Sequence, residues 1–242
     1  MKLALITLFP DVIESFKEYG VTGRAVAENK IDLQCFNPRD YATDKHRTVD
    51  DRPYGGGPGM VMRCEPLTAA VEAAKLWFGK GGMKEDALVV YLSPQGKRLV
   101  QTRTEELAAK EQNLILIAGR YEGIDQRAID NLVDEEISIG DYVLSGGELP
   151  ALILIDAILR HVPGVLGHAE SAGQDSFSGE APDGLKGGLD WPHYTRPEVF
   201  EGQAVPEVLL SGDHKKIEEW RSQQATAKTR KIRPDLILNR KN

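Results

Sequence analysis

Apolar residues in this chain fall into short continuous runs separated by stretches of helical spacing. Leu3–Leu8, Ile31–Phe36, Ala87–Leu92 (ALVVYL) and Leu114–Ala118 (LILIA) each read as a buried strand, and a further run closes over Glu136–Ile139. Between them Asp11–Lys17, Thr22–Asn29, Pro66–Phe78, Gln101–Lys110 and Ile124–Leu132 have the character of helices. Strands apolar on both faces that alternate with helices predict an α/β fold, with a parallel sheet covered on both sides.

The chain is organised around ISIGDYVLSGGELPALILIDAILR, Ile137–Arg160. Leu149–Leu159 is apolar nearly all round, which predicts a buried helix. Ser145 and Glu148 have the spacing of a capping box. A cap at Ser145, however, would set Pro150 where its ring and missing N–H disrupt the first hydrogen bonds. A start near Gly147 leaves Pro150 in the first turn, where no donor is needed, and this start is preferred. Gly140–Gly146 is then an irregular loop at a strand end, where open α/β sheets hold ligands. Two more junctions share that edge: LSPQG at Leu92–Gly96 and AGRYEG at Ala118–Gly123. Their glycines admit close approach of backbone to a ligand, although βα turns of any function favour Gly, Pro and Ser. No GxGxxG follows a strand, so a standard dinucleotide site is disfavoured.

The long polar stretch Asn37–Gly59 ends in GGGPG at Gly55–Gly59. It lacks the Lys-Ser/Thr of a P-loop, which argues against a nucleotide triphosphatase or kinase. A flexible surface loop and a substrate-contacting loop fit it equally; Arg47, Asp50, Asp51, Arg52 and Arg63 supply more charge than a plain turn needs. Gly164–Asp190 is rich in Gly, Ser, Ala and Asp and reads as a linker or lid. Helical pieces follow at Pro206–Leu210, Asp213–Gln224 and Ala225–Lys231, with Asp213 as an N-cap. The expected organisation is an α/β domain over 1–164, a linker over 165–190 and a helical domain over 191–242.

Composition narrows the function classes. The 242 residues are 41% hydrophobic and 28% charged, ordinary for a soluble globular protein. No apolar run has the length of a membrane span. MKLALITLFPD reads as a first strand rather than a signal peptide. Cys35 and Cys64 stand far apart with no CxxC, which predicts a reducing cytoplasm and no disulfide framework. The histidines lack ligand spacing, so no metal cluster is indicated. A net charge of −7 argues against a coat of nucleic acid but leaves room for a local basic face. Lys228, Arg230 and Lys231 lie in such a region, and a solvated helix face accounts for them in isolation. Asp175 likewise reads as a loop acid and Arg160 as a cation suited to a helix end.

Taken together and in order, LITLFP, DDRPYGGGPGMVM, YLSPQGK, GRYEGID, IGDYVLSGGE, PGVLG, DSFSGE and HYTRP closely resemble the bacterial tRNA (guanine-N1)-methyltransferases of the SPOUT superfamily, end to end. The resemblance implies a trefoil knot in the α/β domain, a small helical domain, and a homodimer with its active site between subunits. It implies transfer of a methyl group from S-adenosyl-L-methionine to N1 of the guanosine 3′ of the anticodon, position 37, in tRNA. Carried over, the donor site is Leu92, Ser93, Pro94, Gln95, Gly96, Gly119, Tyr121, Glu122, Ile139, Gly140, Asp141, Tyr142, Val143, Leu144 and Gly147. Asp175 takes the place of the general base and Arg160 that of the arginine at the guanine. Arg120, with Asp50 and Gly59, falls on the substrate side, and Lys228, Arg230 and Lys231 on the tRNA-gripping domain. Any Mg²⁺ would act on charge near Asp175 and Glu122. A non-catalytic RNA-binding module that kept this fold is expected to lose Asp175 or Arg160, and both are present.

Overall fold

A computed structural model of the chain describes residues 1–79, 83, 85–110, 112–166, 173, 175–178 and 187–238. The chain forms two compact units, Met1–Gly167 and His168–Asn242. The first is built on a five-stranded parallel sheet of β1 (Lys2–Ile6), β2 (Asp32–Phe36), β5 (Leu88–Arg98), β6 (Leu114–Ala118) and β7 (Glu135–Ser138), in the order β2-β1-β6-β5-β7. Strand residues divide between two cores with period two. Leu3, Leu5, Val90, Leu92, Leu114 and Leu116 join one core; Ala4, Ile6, Val89, Tyr91, Ile115 and Ile117 join the other. Both faces are thus buried, which is why these strands are continuous apolar runs.

Helices cover each face. One core takes Ile13 of α1 (Pro10–Phe16), Ala25 of α2 (Gly20–Ala27), Leu107 of α4 (Gln101–Ala109) and the inner side of α6 (Glu148–Leu159). The other takes Leu67, Val71 and Phe78 of α3 (Cys64–Phe78) and Ala128 of α5 (Gln126–Leu132). Gly147 is the N-cap of α6, and the Ala151 N–H donates to its carbonyl at 3.0 Å. Pro150 therefore lies in the first turn, as its chemistry requires. The expected all-round burial of this helix is corrected: Leu149 and Ile153, one turn apart, remain exposed on the chain taken alone.

Two other expectations change. The strand expected to stop at Leu92 continues to Arg98 after a four-residue excursion, since Leu92 and Lys97 both face Ile137 of β7. Pro94 has no N–H for a ladder, and the Ser93 hydroxyl accepts from the Gln95 N–H at 3.2 Å, turning the chain locally. Gly96 then returns close to β7; a Cβ there would stand 2.4 Å from the Glu136 carbonyl carbon. The polar stretch after β2 also holds structure. Asn37 caps a 3-10 turn at Pro38–Tyr41, and β3 (Asp50–Asp51) pairs antiparallel with β4 (Val61–Met62), so GGGPG lies in the connection of a hairpin.

In the second unit β8 (Val199–Phe200) and β9 (Gln203–Ala204) form an unexpected hairpin, closed by Glu201 and Gly202 at φ 50° and 79°. Positive φ at both central residues matches the twist of paired strands. After the short helix α7 (Glu207–Leu210), the two helical pieces expected next are one helix, α8 (His214–Ile232); the Asp213 side chain accepts from the Lys216 N–H at 3.2 Å. The short α9 (Asp235–Leu238) follows.

Candidate active site

A cavity of about 390 Å³ opens where β5, β6 and β7 of the first unit give way to their loops. Its size is within the usual range of small-molecule sites. From the first junction Leu92, Ser93, Pro94 and Gln95 line it, while Gly96 sits behind them against β7. From the second come Gly119, Arg120, Tyr121 and Glu122; from the third Ile139, Gly140, Tyr142, Val143, Leu144 and Gly147, with Asp141 outside the lining.

The loops are tied to one another by backbone. The Gly147 N–H donates to the Gly119 carbonyl at 2.9 Å. Added Cβ atoms at these glycines would stand 2.7 Å from Ala118 Cα and 2.8 Å from the Tyr91 ring, so the close approach itself requires glycine. The Ser138 hydroxyl accepts from the Gly140 N–H at 3.2 Å and donates to the Gly140 carbonyl at 3.1 Å, folding the start of the third loop. β4 runs beside the second loop: the Met62 N–H donates to Gly123 O, and the Glu122 N–H to Met60 O, at 2.9 and 3.0 Å. Gly59 is thereby pressed on Glu122, whose Oε1 would be 2.4 Å from a Cβ at that position. Asp50 lies across the ribbon, opposite Met62. Tyr121 holds φ at 61°, a left-handed backbone rare for a tyrosine.

Sequence reasoning missed several lining residues. Gln126 and Ile129 of α5 line the cavity three residues apart, Ile137 and Ser138 of β7 line it too, and Ser145 and Gly146 of the third loop join Pro150 of α6 there. The α5 pair was findable, because that helix begins directly after the GRYEG loop. Burial pushes the Tyr91 hydroxyl above its ordinary pKa, with the nearby Glu136 carboxylate adding to it. Burial also pushes the Cys35 thiol up to about 12, and burial and a hydrogen bond to Asp125 raise Cys64. Both shifts run away from the thiolate form that acts as a nucleophile. Among the described residues no group of three or more His, Cys, Asp or Glu side chains could hold a metal ion, and no helix is long and apolar enough to cross a membrane.

Arg160 is not brought to this cavity. It is the C-cap of α6, a 12-residue helix and so about 18 Å long, whose other end meets the site. Asp175, Lys228, Arg230 and Lys231 belong to the second unit. The turn carrying Asp175 is stitched to α8 there. Ser176 Oγ donates to Asp190 Oδ1 at 3.0 Å and accepts from the Asp190 N–H at 3.1 Å. Phe177 N–H donates to Gly188 O at 2.7 Å, and Leu189 N–H to the Thr229 hydroxyl at 2.9 Å. Lys228 Nζ donates to Asp190 Oδ1 and to its carbonyl, both at 3.2 Å. Burial alone would raise the Asp190 carboxyl, but hydrogen bonds from Lys228, Ser176 and His193 outweigh it and hold the group below its ordinary pKa. Lys228, expected to face phosphate, is thus engaged by a carboxylate, while Arg230 and Lys231 stay exposed.

A parallel sheet whose strand-end loops close on such a cavity defines a ligand-binding α/β protein without the dinucleotide fingerprint. The tRNA (Guanine-1)-methyltransferase TrmD family matches residues 1–239, and the chain belongs to that family. It is 59% identical over 239 residues to the tRNA (guanine-N(1)-)-methyltransferase of Psychromonas ingrahamii, covering 99% of this chain and 92% of that protein. Identity to the protein of the same name from Pseudoalteromonas atlantica is 57%, over 96% of this chain and 83% of that one. For Pasteurella multocida it is 55%, over 98% and 91%.

Proposed function

We propose that this protein is a cytoplasmic tRNA (guanine-N1)-methyltransferase that moves the methyl group of S-adenosyl-L-methionine to N1 of guanosine 37 in tRNA. The observation that carries this is the meeting of three strand-end loops on one cavity in a chain of this family. The walls suit the donor: apolar Leu92, Ile137, Ile139 and Leu144 alternate with glycines packed too tightly for side chains. When bound, S-adenosylmethionine supplies an electrophilic methyl group. The three loops would hold it, and the knot belongs to this proposal as the device that fixes them. Any Mg²⁺ would act on charge near Asp175 and Glu122, although among the described residues no group of three or more His, Cys, Asp or Glu side chains could hold it.

Guanine N1 carries a proton and is a poor nucleophile until that proton leaves. Asp175 takes it as general base. Negative charge then spreads toward O6, where the planar, permanently charged fork of Arg160 stabilises it. A homodimer resolves the distance of Arg160 from the cavity of its own chain. The exposed Leu149 and Ile153 of α6, with Val12 of α1 and Val143 of the third loop, provide apolar surface for it. Arg120, Asp50 and Gly59 would lie on the nucleotide side, with Glu122 between it and the donor, and the helical unit would grip the tRNA with Arg230 and Lys231. Methylation of transcripts carrying G37 or A37 tests the assignment. Donor-dependent product on G37 alone is expected, and equal incorporation into A37 would refute it.

A further inference from the structure

Arg120 sits in a socket assembled from separate stretches of chain. Its Nε lies 2.8 Å from Glu148 Oε2, an ion pair without the alignment of a hydrogen bond. Its Nη1 donates to the Ser145 carbonyl at 3.2 Å. Its guanidinium carbon is 4.3 Å from the centre of the Phe9 ring, a cation–π distance. Behind the pair, Glu148 is only 2% exposed and its Oε1 accepts from the Thr7 hydroxyl at 2.9 Å. Gly146 closes the socket: a Cβ there would stand 2.3 Å from Arg120 Nε and 2.6 Å from Cζ. The backbone of Gly146 is not left-handed, so it is the guanidinium that alanine would displace.

A carboxylate buried to this degree needs a cation beside it. Placing the pair at a cavity wall is costly unless the arginine is wanted there. Among the described residues Nη2 has no hydrogen-bond partner, and Arg120 lines the cavity. One edge of a rigid fork is thereby left without a protein partner on a residue that lines the cavity, the arrangement suited to an anionic oxygen. We propose that Glu148 and Gly146 are positioning residues that hold Arg120 with this edge open to a backbone phosphate of the nucleotide being modified. The proposal rests on the reading of the cavity as the place of methyl transfer to tRNA.

Two measurements test it. The arginine Nε–H signals of the free protein, recorded by ¹⁵N nuclear magnetic resonance, need no activity. The Arg120 signal, assigned by its loss in Arg120→Met, is expected to shift and broaden in Glu148→Gln and in Gly146→Ala. An unchanged signal in both overturns the socket, whatever the enzyme does. In single-turnover and steady-state assays on a tRNA transcript, each variant is expected to lower kcat/KM about 10- to 100-fold, as a misplaced group does. Calorimetric donor affinity should stay within about threefold, because the lost contact belongs to the nucleotide. In an Arg120→Met background the same changes should cost less than about threefold, since residues acting as a unit are non-additive. Full, independent losses there would show that Glu148 and Gly146 act on something other than Arg120. A wild-type protein that methylates no tRNA would refute the functional reading instead and leave the spectrum to decide the socket.

Discussion

The cavity of the first unit and the Asp175 turn of the second are built on opposite plans. The cavity is made by backbone: three strand ends, glycines without room for a Cβ, and carbonyl-to-amide ties between loops. The Asp175 turn is held largely by side chains, through Ser176, Asp190, Lys228 and Thr229. A backbone-built site is fixed once the sheet folds. A side-chain-built one depends on charge state and on a few replaceable groups. The proposed chemistry divides accordingly, with donor binding on the first plan and proton removal on the second.

The largest separation between the two is expected from Asp175→Asn. Methyl transfer should fall by about 10²- to 10⁴-fold, the range of a general base, while calorimetry shows donor binding nearly intact. Near wild-type single-turnover rates would remove Asp175 from the mechanism. Arg160→Lys keeps charge and loses the planar fork, so a fall of about 10²-fold is expected. Activity within a few-fold of wild type would show that charge alone suffices.

The cavity plan breaks differently. Gly96→Ala drives a Cβ into the Glu136 backbone and should cost about 1–3 kcal/mol of stability, as overpacking does, with donor affinity falling in parallel. Denaturant unfolding with and without donor measures both, and a variant as stable as wild type would contradict the tight seat of this loop. Acid should loosen the ties that Asp190 makes in the second unit. Asp190 has a lowered folded-state pKa, so its contribution is complete above its unfolded value near 4 and disappears as pH falls through the folded value. Protection of the Phe177 and Leu189 amides from hydrogen exchange should therefore fall below about pH 4, a fall that Asp190→Asn abolishes by lowering protection at every pH.

The smallest effect concerns salt. Neutralising Arg230 and Lys231 should reduce the salt slope of tRNA binding by about two, or a little less. Adding a Lys228 substitution should leave the slope alone and lower stability, because its ammonium serves Asp190. A further full unit of slope would return Lys228 to the phosphate contacts.

The same contrast explains what was legible. β6 (Leu114–Ala118) stood at its expected limits because a five-residue run buried on both faces leaves one solution. The start of α6 followed from the covalent chemistry of Pro150 alone. The loop convergence followed from sheet direction. The β5 excursion did not, since an apolar run cannot reveal that a strand resumes beyond a Pro-containing break and pairs again with the same residue. The Lys228–Asp190 pair was equally hidden: a lysine on a polar helix looks the same whether it meets water, phosphate or a carboxylate 38 positions away in the chain. Phe9 and Glu148 as partners of Arg120, and Thr7 as the partner of Glu148, escaped notice for the same reason.

β5 leaves β7 at Leu92 and meets Ile137 again at Lys97, so both ladder segments take their register from the same residue. Side chains alternate faces only along a continuous strand, and the irregular stretch between uncouples the two segments. A residue added there would leave Leu92 and Lys97 opposite Ile137, whereas one added within Leu88–Leu92 would exchange the faces of that strand. The length of this cavity-lining stretch is thus separable from the register of the sheet, although Gly96, seated against the Glu136 backbone, leaves no room for a side chain.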